Sequence, residues 1–370
     1  MTHRNSAFLL LSLGTALSLG VLAVGCVDLD PLDPDKPLPG TPPTNGQPPP
    51  SCGLGTLDQG DAALYLHVID VGQGDALLLQ TPDDGIDGNG TAEGLNILID
   101  AGNNGYYDLT DGGHFVNSFL HRLGVQKLDY AIVTHAHADH YGGMVTVFDE
   151  FPVVNIVDPG YNSPNTTWTG FTVAAEAEAR ATGGRFYRPA IGDWVAQPGD
   201  TVDWGSELTV RVMWASDVAN LGQSDNSQVN NTSIVLRVSY GDINLMLMGD
   251  GEQEVEGRLL DSGLDLATNI LKVGHHGSNS SSSTAFIEAL FKDTPEDLRF
   301  AAISSGRVSF GGVQLPTLQT KDRIRHALDT THLFSTEYAD SDKTETNAPG
   351  DDDITFVVTP DGQVGACYIY

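Results

Sequence analysis

The chain has 370 residues, of which 40% are hydrophobic and 8% aromatic, so it is long and apolar enough to bury a sizeable core. It contains 49 acidic and only 18 basic residues, which gives a formal net charge of −31. This charge excludes a broad nucleic-acid-binding face, because such a face needs clustered Lys and Arg side chains. It remains compatible with a small cleft that holds one phosphate group.

Residues 1–26 are predicted to be a signal peptide and not part of the fold. Arg4 supplies a positive start, and an apolar run rich in Leu, Ala and Gly follows at 7–24. The letters LAVGC at 22–26 resemble a bacterial lipoprotein signal, in which cleavage before Cys26 leaves that cysteine lipidated. A plain secretory signal and an uncleaved anchor helix are the alternatives. We therefore expect an exported chain that is lipid-anchored to the bacterial cell envelope, or else secreted.

Residues 27–61 are predicted to form a linker, because Pro, Asp, Gly and Thr dominate this stretch and cannot build a core. The folded domain is assigned to residues 62–370. With Cys26 assigned to the lipid, Cys52 and Cys367 remain of the three cysteines. Export favours a disulfide between them, which would join the two ends of the folded domain.

The folded domain is predicted to open with a β-hairpin. Alternating apolar residues at 63–70 and an apolar run at 76–80 flank a Gly-Gln-Gly turn. A third strand at 95–99 ends at Asp100, whose carboxylate is expected either to cap a turn or to orient a metal ligand. Apolar residues then recur at helical spacing, which predicts an amphipathic helix at 114–124.

The run Thr-His-Ala-His-Ala-Asp-His at 134–140 is the strongest functional pattern in the chain. It follows the apolar stretch at 130–133 and places three imidazoles and one carboxylate within six residues. Neutral imidazole nitrogens and carboxylate oxygens are the donors that Zn²⁺ prefers. At the end of a strand, His135 and His137 are expected to face one point, and Asp139 and His140 a second point beside it.

Two later strands are predicted to deliver further ligands at their carboxyl ends. The apolar run at 243–248 leads to Asp250, and the apolar run at 269–274 leads to His275 and His276. The chain contains no histidine between His140 and this pair. The candidate ligands are therefore concentrated where strands end, which indicates one metal centre.

These motifs, with IDVGQGDA at 69–76, LIDAG at 98–102, NTS at 231–233, MGD at 248–250 and HHGS at 275–278, resemble those of a known family. The layout resembles the metallo-β-lactamase superfamily and, more narrowly, the hydrolase domain of ComEC-type DNA-internalisation competence proteins. The resemblance runs from about Leu64 onwards and does not include that family's membrane-channel segments. It implies an α/β fold, a four-layer αβ/βα sandwich with two facing mixed β-sheets.

The resemblance also implies a centre for two zinc ions, with Mn²⁺ as an alternative metal. His135 and His137 are assigned to one ion, and Asp139 and His140 to the other, with Asp250 bridging them. Asp139 is in addition assigned a catalytic role.

The histidine pair after the last of these strands is assigned by the same resemblance. His275 is assigned to the second zinc and His276 to catalysis, although which of the two binds metal stays open. Many relatives have a further histidine between the first cluster and the bridging Asp, and this chain has none. Asn230, Asn231 or a water molecule is expected to take its place. The Gly-His-Pro of relatives is replaced by Gly-Gly-Val at 311–313.

The function implied is that of an exported metal-dependent hydrolase, a phosphodiesterase or nuclease-like enzyme that uses zinc-bound hydroxide. Its expected substrate is a small phosphodiester or nucleic-acid fragment, with Lys272 or Arg307 adding positive potential to the cleft. The lipid anchor is the expected membrane attachment, and no protein partner is indicated. The alternatives are a hydrolase of another ester or lactam, and a non-catalytic surface binding lipoprotein that retains the fold.

Overall fold

The computed structural model describes residues 52, 63–83, 94–105, 111–160, 165–188, 201–205, 207–215, 226–306, 309–310, 312–328, 332–337, 350 and 352–369. The predicted signal peptide at 1–26 and Arg307 lie outside these residues, and so does the predicted linker apart from Cys52. No helix in the described part of the chain is both long and apolar enough to cross a lipid bilayer.

The described residues contain seventeen strands. They are β1 (Leu64–Val68), β2 (Leu77–Gln80), β3 (Asn96–Ile99), β4 (Leu128–Ile132), β5 (Val153–Val157), β6 (Arg185–Tyr187), β7 (Thr201–Val202), β8 (Leu208–Trp214), β9 (Val235–Tyr240), β10 (Ile243–Leu247), β11 (Ile270–Lys272), β12 (Phe300–Ile303), β13 (Ser309–Phe310), β14 (Val313–Gln314), β15 (Leu333–Ser335), β16 (Asp353–Val358) and β17 (Val364–Ile369).

The same residues form eight α-helices. They are α1 (Gly112–Leu123), α2 (Ala138–Tyr141), α3 (Met144–Phe148), α4 (Thr166–Thr182), α5 (Asn226–Asn230), α6 (Gln253–Asp261), α7 (Thr284–Phe291) and α8 (Leu318–Arg325).

The strands form two large mixed sheets and one small ribbon. The first sheet has eight strands in the order β17-β16-β1-β2-β3-β4-β5-β6, and the second has seven in the order β15-β12-β11-β10-β9-β8-β7. Strands β3 to β6 run parallel, as do β10, β11, β12 and β15, while the remaining neighbours in both sheets are antiparallel. The predicted opening hairpin is confirmed as β1 and β2.

The sheets pack face to face, and helices cover their outer faces. Buried side chains of both sheets, among them Leu66 and Leu236, form the interior between them. Phe119 of α1 and Trp168 of α4 pack on the outside of the first sheet, and Phe286 of α7 packs on the outside of the second. Each such side chain contributes roughly 1.5–3 kcal/mol when fully buried. The predicted four-layer αβ/βα sandwich is confirmed.

Helix α1 shows how local sequence sets an element. The Asp111 side chain accepts a hydrogen bond from Gly113 N at the first turn, and Gly124 ends the helix with φ 74°. A carboxylate N-cap and a left-handed glycine are the common start and stop signals of a helix, respectively. The helix runs from Gly112 to Leu123, so it begins two residues before the predicted start at 114 and ends one residue before the predicted end at 124, with Gly124 as its cap.

The two ends of the domain are joined covalently. Cys52 and Cys367 form a disulfide across a sequence separation of 315 residues. Cys367 lies in β17, which pairs with β16, and β16 pairs with β1. The predicted disulfide is therefore present at the edge of the first sheet.

Candidate metal centre

The run at 134–140 leaves the end of β4 and is held there by a neighbouring strand end. Asp100, directly after β3, accepts hydrogen bonds from Thr134 N at 2.8 Å and from the Thr134 hydroxyl at 2.7 Å. The same carboxylate lies 2.7 Å from His140 Nδ1. Of its two expected roles, Asp100 therefore orients a candidate ligand, whereas Asp70 accepts backbone N–H groups of Gly72 and Gly350 and caps a turn.

Asp250 comes from the second sheet, in the turn after β10, and lies at the middle of the cluster. Its Oδ2 is 3.3 Å from His140 Nε2, 3.4 Å from His276 Nε2 and 3.7 Å from His135 Nε2. Its Oδ1 is buried and has no hydrogen-bond partner among the described residues. Gly249 makes this approach possible, because its φ is 51° and a Cβ there would lie 3.0 Å from both Ser233 Oγ and Thr134 Cβ.

His275 and His276 follow β11 in a tight turn in which both have left-handed backbone, with φ 46° and 50°. His276 turns inward, where its Nε2 lies 3.2 Å from His140 Nε2 and 3.5 Å from Asp139 Oδ2. His275 lies further out, with Nε2 3.9 Å from Asp250 Oδ2. The geometry thus differs from the expected assignment, since His276 and not His275 joins the group that holds Asp139 and His140.

His135 and His137 form the other side of the centre. His135 Nε2 lies 3.0 Å from His137 Nδ1, and both side chains come from the loop between β4 and α2. His135 is fully buried, and His137 is partly exposed. The two residues therefore converge as a pair next to Asp250.

Three imidazoles in the centre have a fixed tautomer. His140 Nδ1 donates to the acceptor-only carboxylate of Asp100, and His276 Nδ1 donates to the Ser304 carbonyl at 2.9 Å. The Thr134 hydroxyl donates to Asp100, so its oxygen accepts from His135 Nδ1 at 3.1 Å. In the neutral form of each ring the single proton is therefore on Nδ1, and Nε2, which is directed at the cluster, is the atom that can bind a metal.

The charge balance of the cluster favours a cation. Burial alone would raise the pKa of the Asp250 carboxyl, but the imidazoles of His276 and His140 hold that pKa well below its usual range. Burial would likewise lower the pKa of His140, but Asp250 and Asp100 raise it well above its usual range. Without an ion, protons on the imidazoles offset the buried carboxylates. A divalent cation fits this donor set, because it supplies the same positive charge and leaves each Nε2 to act as a ligand.

Among the described residues, four sets of three donor residues meet the spacing that one ion needs, and two of them consist only of candidate ligands. One set is His135, His140 and Asp250, and the other is Asp139, His140 and His276. Within each set the donor atoms all lie within 4.8 Å of one another. Imidazole and carboxylate donors together suit Zn²⁺ and related divalent metals. The residues present therefore fit a divalent metal centre.

A buried ion pair beneath the centre was not foreseen. Lys272 Nζ donates to Asp75 Oδ2 at 2.8 Å, and both side chains are buried. Asp75 Oδ1 lies 3.3 Å from His276 Nδ1. The expectation that Lys272 adds positive potential to the cleft is wrong, because its charge is fully enclosed and paired. A lysine in the otherwise apolar strand β11 was the available signal for such a buried pair.

Glu252 is the second residue that sequence reasoning missed. It is buried in front of α6, and its Oε1 lies 3.1 Å from His275 Nδ1. Burial alone would raise the pKa of its carboxyl, but hydrogen bonds from His275 and Asn230 hold that pKa below its usual range. Its position two residues after Asp250 was the only hint in the sequence.

The chain is similar to several known proteins. A family model described as the metallo-beta-lactamase superfamily matches residues 86–215. The ComE operon protein 3 of Bacillus subtilis (strain 168) is 28% identical over 246 residues, which cover 65% of this chain and 28% of that protein. The competence protein ComA of Neisseria gonorrhoeae is 29% identical over 210 residues, which cover 56% of this chain and 24% of that protein.

One solved structure covers most of the chain. Igni18, described as a novel metallo hydrolase from the hyperthermophilic archaeon Ignicoccus hospitalis KIN4/I, aligns with 79% of this chain and 98% of its own. The TM-score is 0.41 and the sequence identity 12%. The chain spans only about a quarter of the length of the two curated relatives.

Proposed function

Because the chain is a metallo-β-lactamase superfamily protein that resembles ComEC-type proteins, we propose that it is an exported, metal-dependent phosphodiesterase for small phosphodiesters and short single-stranded nucleic acid. The superfamily supports a metal-dependent hydrolase, and the phosphodiester substrate is the proposal's own step. It draws on the competence-related relatives and on the cluster of imidazole and carboxylate donors that fits divalent metal ions.

The position of Asp250 is the observation that carries the proposal. Its Oδ2 lies 3.3 to 3.9 Å from Nε2 atoms that belong to both sides of the centre. One carboxylate shared between two donor sets is the arrangement that a two-metal hydrolase needs. We propose that His135 and His137 hold the first ion and that Asp139, His140 and His276 hold the second, with Asp250 between them.

The chemistry divides between the metal and the chain. Two bound divalent ions, zinc or manganese, would polarise phosphoryl oxygens and lower the pKa of water. Asp100, Ser304 and Thr134 keep the imidazoles in the binding tautomer by accepting their Nδ1 protons. These three acceptors therefore preorganise the centre before substrate arrives.

Asp139 is the carboxylate of the centre that can touch a substrate. Its side chain is 22% exposed, whereas the side chains of Asp250 and Asp100 are 3% and 1% exposed. A partly exposed carboxylate at this place can accept the proton that an attacking water loses. We therefore retain Asp139 as both ligand and catalytic residue, while the inward Nε2 of His276 makes it a ligand.

Turnover measurements on the purified chain test the proposal. Bis(p-nitrophenyl) phosphate and a short single-stranded oligonucleotide should be hydrolysed, chelation should abolish the activity, and added Zn²⁺ or Mn²⁺ should restore it. Asp139→Ala should stay inactive with either metal. Absence of turnover with every phosphodiester and every metal would favour a binding protein, and hydrolysis of only lactams or lactones would replace the substrate class.

Export is proposed from the sequence of the first 26 residues. The letters LAVGC at 22–26 support lipidation at Cys26. A fatty-acid label should enter the wild-type chain in bacteria and should not enter Cys26→Ala. A labelled Cys26→Ala variant, or an unlabelled wild type, would contradict the anchor.

A further inference from the structure

The two sides of the centre differ in the number of their protein donors. In the proposed assignment the second position has Asp139, His140 and His276 beside Asp250, whereas the first has His135 and His137 beside Asp250. Zinc sites in proteins commonly have at least three protein ligands. The first position therefore has three protein donors where the second has four. His275 lies next to Asp250, and Asn230 lies next to His275, so these two side chains are the candidates for a fourth donor.

The hydrogen bonds of His275 determine which of its nitrogens is free. Its Nδ1 lies 2.9 Å from Ser280 Oγ and 3.1 Å from Glu252 Oε1. The Ser280 hydroxyl donates to Glu252 Oε1 at 3.0 Å, so the Ser280 oxygen is an acceptor toward His275. Because both neighbours of Nδ1 accept, Nδ1 carries the proton. The bare Nε2 is the ring nitrogen 3.9 Å from Asp250 Oδ2.

Glu252 is itself held in place from two sides. Its backbone N–H donates to Asn231 Oδ1 at 3.0 Å, and its Oε1 accepts from Asn230 Nδ2 at 3.0 Å. The Asn230 amide nitrogen lies 3.5 and 3.4 Å from the two ring nitrogens of His275, so it is in line with neither lone pair. The carboxylate therefore acts as a fixed acceptor behind the imidazole.

We propose that His275 is the ligand that completes the first metal position and that Glu252 is the positioning residue that holds it there. A carboxylate that accepts from one imidazole nitrogen while the other binds metal is a recurring device of metal sites. His275 then takes the place of the histidine that many relatives carry earlier in the chain. This inference rests on the proposed two-metal centre but concerns metal affinity and not turnover.

Metal binding to the full-length, metal-free chain tests the proposal. Titration with Co²⁺ against a competing chelator gives the two affinities, and the visible absorption of bound Co²⁺ reports each donor set. Glu252→Gln should lower the affinity for one of the two ions by about 10- to 100-fold, which is the usual effect of losing such a hydrogen-bond partner. His275→Ala should lose one ion and keep the other, with a changed absorption spectrum for the ion that is lost.

The chain offers a matched control for the charge change. Glu254 lies in the first turn of the same helix, two residues away, and its side chain is 63% exposed. Glu254→Gln should bind both ions as the wild type does. Ser280→Ala removes only one acceptor of His275 and provides a second variant if Glu252→Gln folds poorly. It should lower the affinity for the same ion.

The outcomes separate this inference from the proposed function. Two ions bound at wild-type affinity by both His275→Ala and Glu252→Gln would overturn it. If Asn230→Ala loses the first ion while His275→Ala still binds both ions, the position belongs to the Asn230 carboxamide. The Oδ1 of Asn230 has no hydrogen-bond partner among the described residues. A chain that loses one ion in His275→Ala yet hydrolyses no phosphodiester would support this inference and contradict the proposed function.

Discussion

At the scale of single residues, the centre depends on acceptors behind the imidazoles as much as on the imidazoles themselves. Asp100 has left-handed backbone, with φ 59°, and its carboxylate accepts from both Thr134 and His140. This one side chain therefore fixes the loop that carries the first cluster and the tautomer of one ligand.

Asp100→Asn should weaken metal binding without removing any ligand. The amide keeps one acceptor oxygen but brings a donor toward groups that themselves donate, so the tautomer of His140 is no longer enforced. We expect a loss of about 10- to 100-fold in metal affinity, measured by chelator competition. Asp265→Asn is the control and should bind metal normally, because the Asp265 carboxylate is exposed and pairs with Arg237. Unchanged affinity in Asp100→Asn would show that Asp100 has only a structural role.

At the scale of elements, three adjacent strands enclose a neutral histidine. His67 of β1 lies 2.7 Å from Thr355 Oγ1 of β16 and 3.2 Å from Gln80 Oε1 of β2. Burial, together with the charge of Arg122, lowers its pKa from 6.5 to about 4, although the hydrogen bond to Gln80 opposes this shift. The folded sheet therefore binds the neutral imidazole in preference to the charged one.

The His67 pKa predicts acid sensitivity of the metal-free protein. Between pH 6.5 and about 4 the unfolded chain binds a proton at His67 that the folded chain does not, so stability falls as the pH falls through this window. The loss should reach about 3 kcal/mol across the window. Denaturant unfolding at several pH values should show a flatter profile for His67→Gln. Identical slopes for both proteins would contradict this assignment.

The junction of α1, α3 and the loop after β3 depends on close backbone contact. A Cβ at Gly143 would lie 2.1 Å from Ala101 O and 2.4 Å from Gly113 N. We expect Gly143→Ala to destabilise the fold by about 1–3 kcal/mol. Gly170→Ala, inside α4 with no atom within 4 Å of a new Cβ, should instead be stabilised by about 0.5–1 kcal/mol. Denaturation midpoints of the two variants that shift in the same direction would refute this explanation.

At the scale of the whole molecule, the net charge of −31 acts against the proposed class of substrate. Lys272 does not relieve it, because Asp75 pairs with that charge inside the fold. Polyanions are therefore repelled at long range, and the metal ions of the proposed centre would supply positive charge next to the substrate.

This repulsion predicts an unusual dependence on salt. The screening length falls from about 30 Å at 0.01 M to about 8 Å at 0.15 M ionic strength. The kcat/KM for a short single-stranded oligonucleotide should rise over this range, whereas that for a small monoanionic diester should change little. A kcat/KM for the oligonucleotide that falls as salt is added would indicate a basic binding surface and would contradict the prediction.

Much of the fold followed from local patterns in the sequence. The opening hairpin and the helix at α1 were predicted from such patterns. The four layers were implied by the family resemblance, and the disulfide between Cys52 and Cys367 was predicted from the cysteine count and the expected export. The sequence also predicted the placement of histidines and aspartates at strand ends, which the structure brings together around Asp250. These features are accessible from sequence because hydrophobic periodicity, caps and strand-end runs are properties of neighbouring residues.

The order of His275 and His276 and the partners of the centre were decided only by the tertiary structure. Adjacent residues in a left-handed turn point in different directions, and no periodicity tells which one faces inward. The Lys272–Asp75 pair joins residues 197 positions apart, and Glu252 meets His275 only because α6 begins beside the turn after β11. The first contact arises because the two sheets pack face to face, and the second because β10 and β11 are parallel neighbours whose ends meet at one edge of the second sheet.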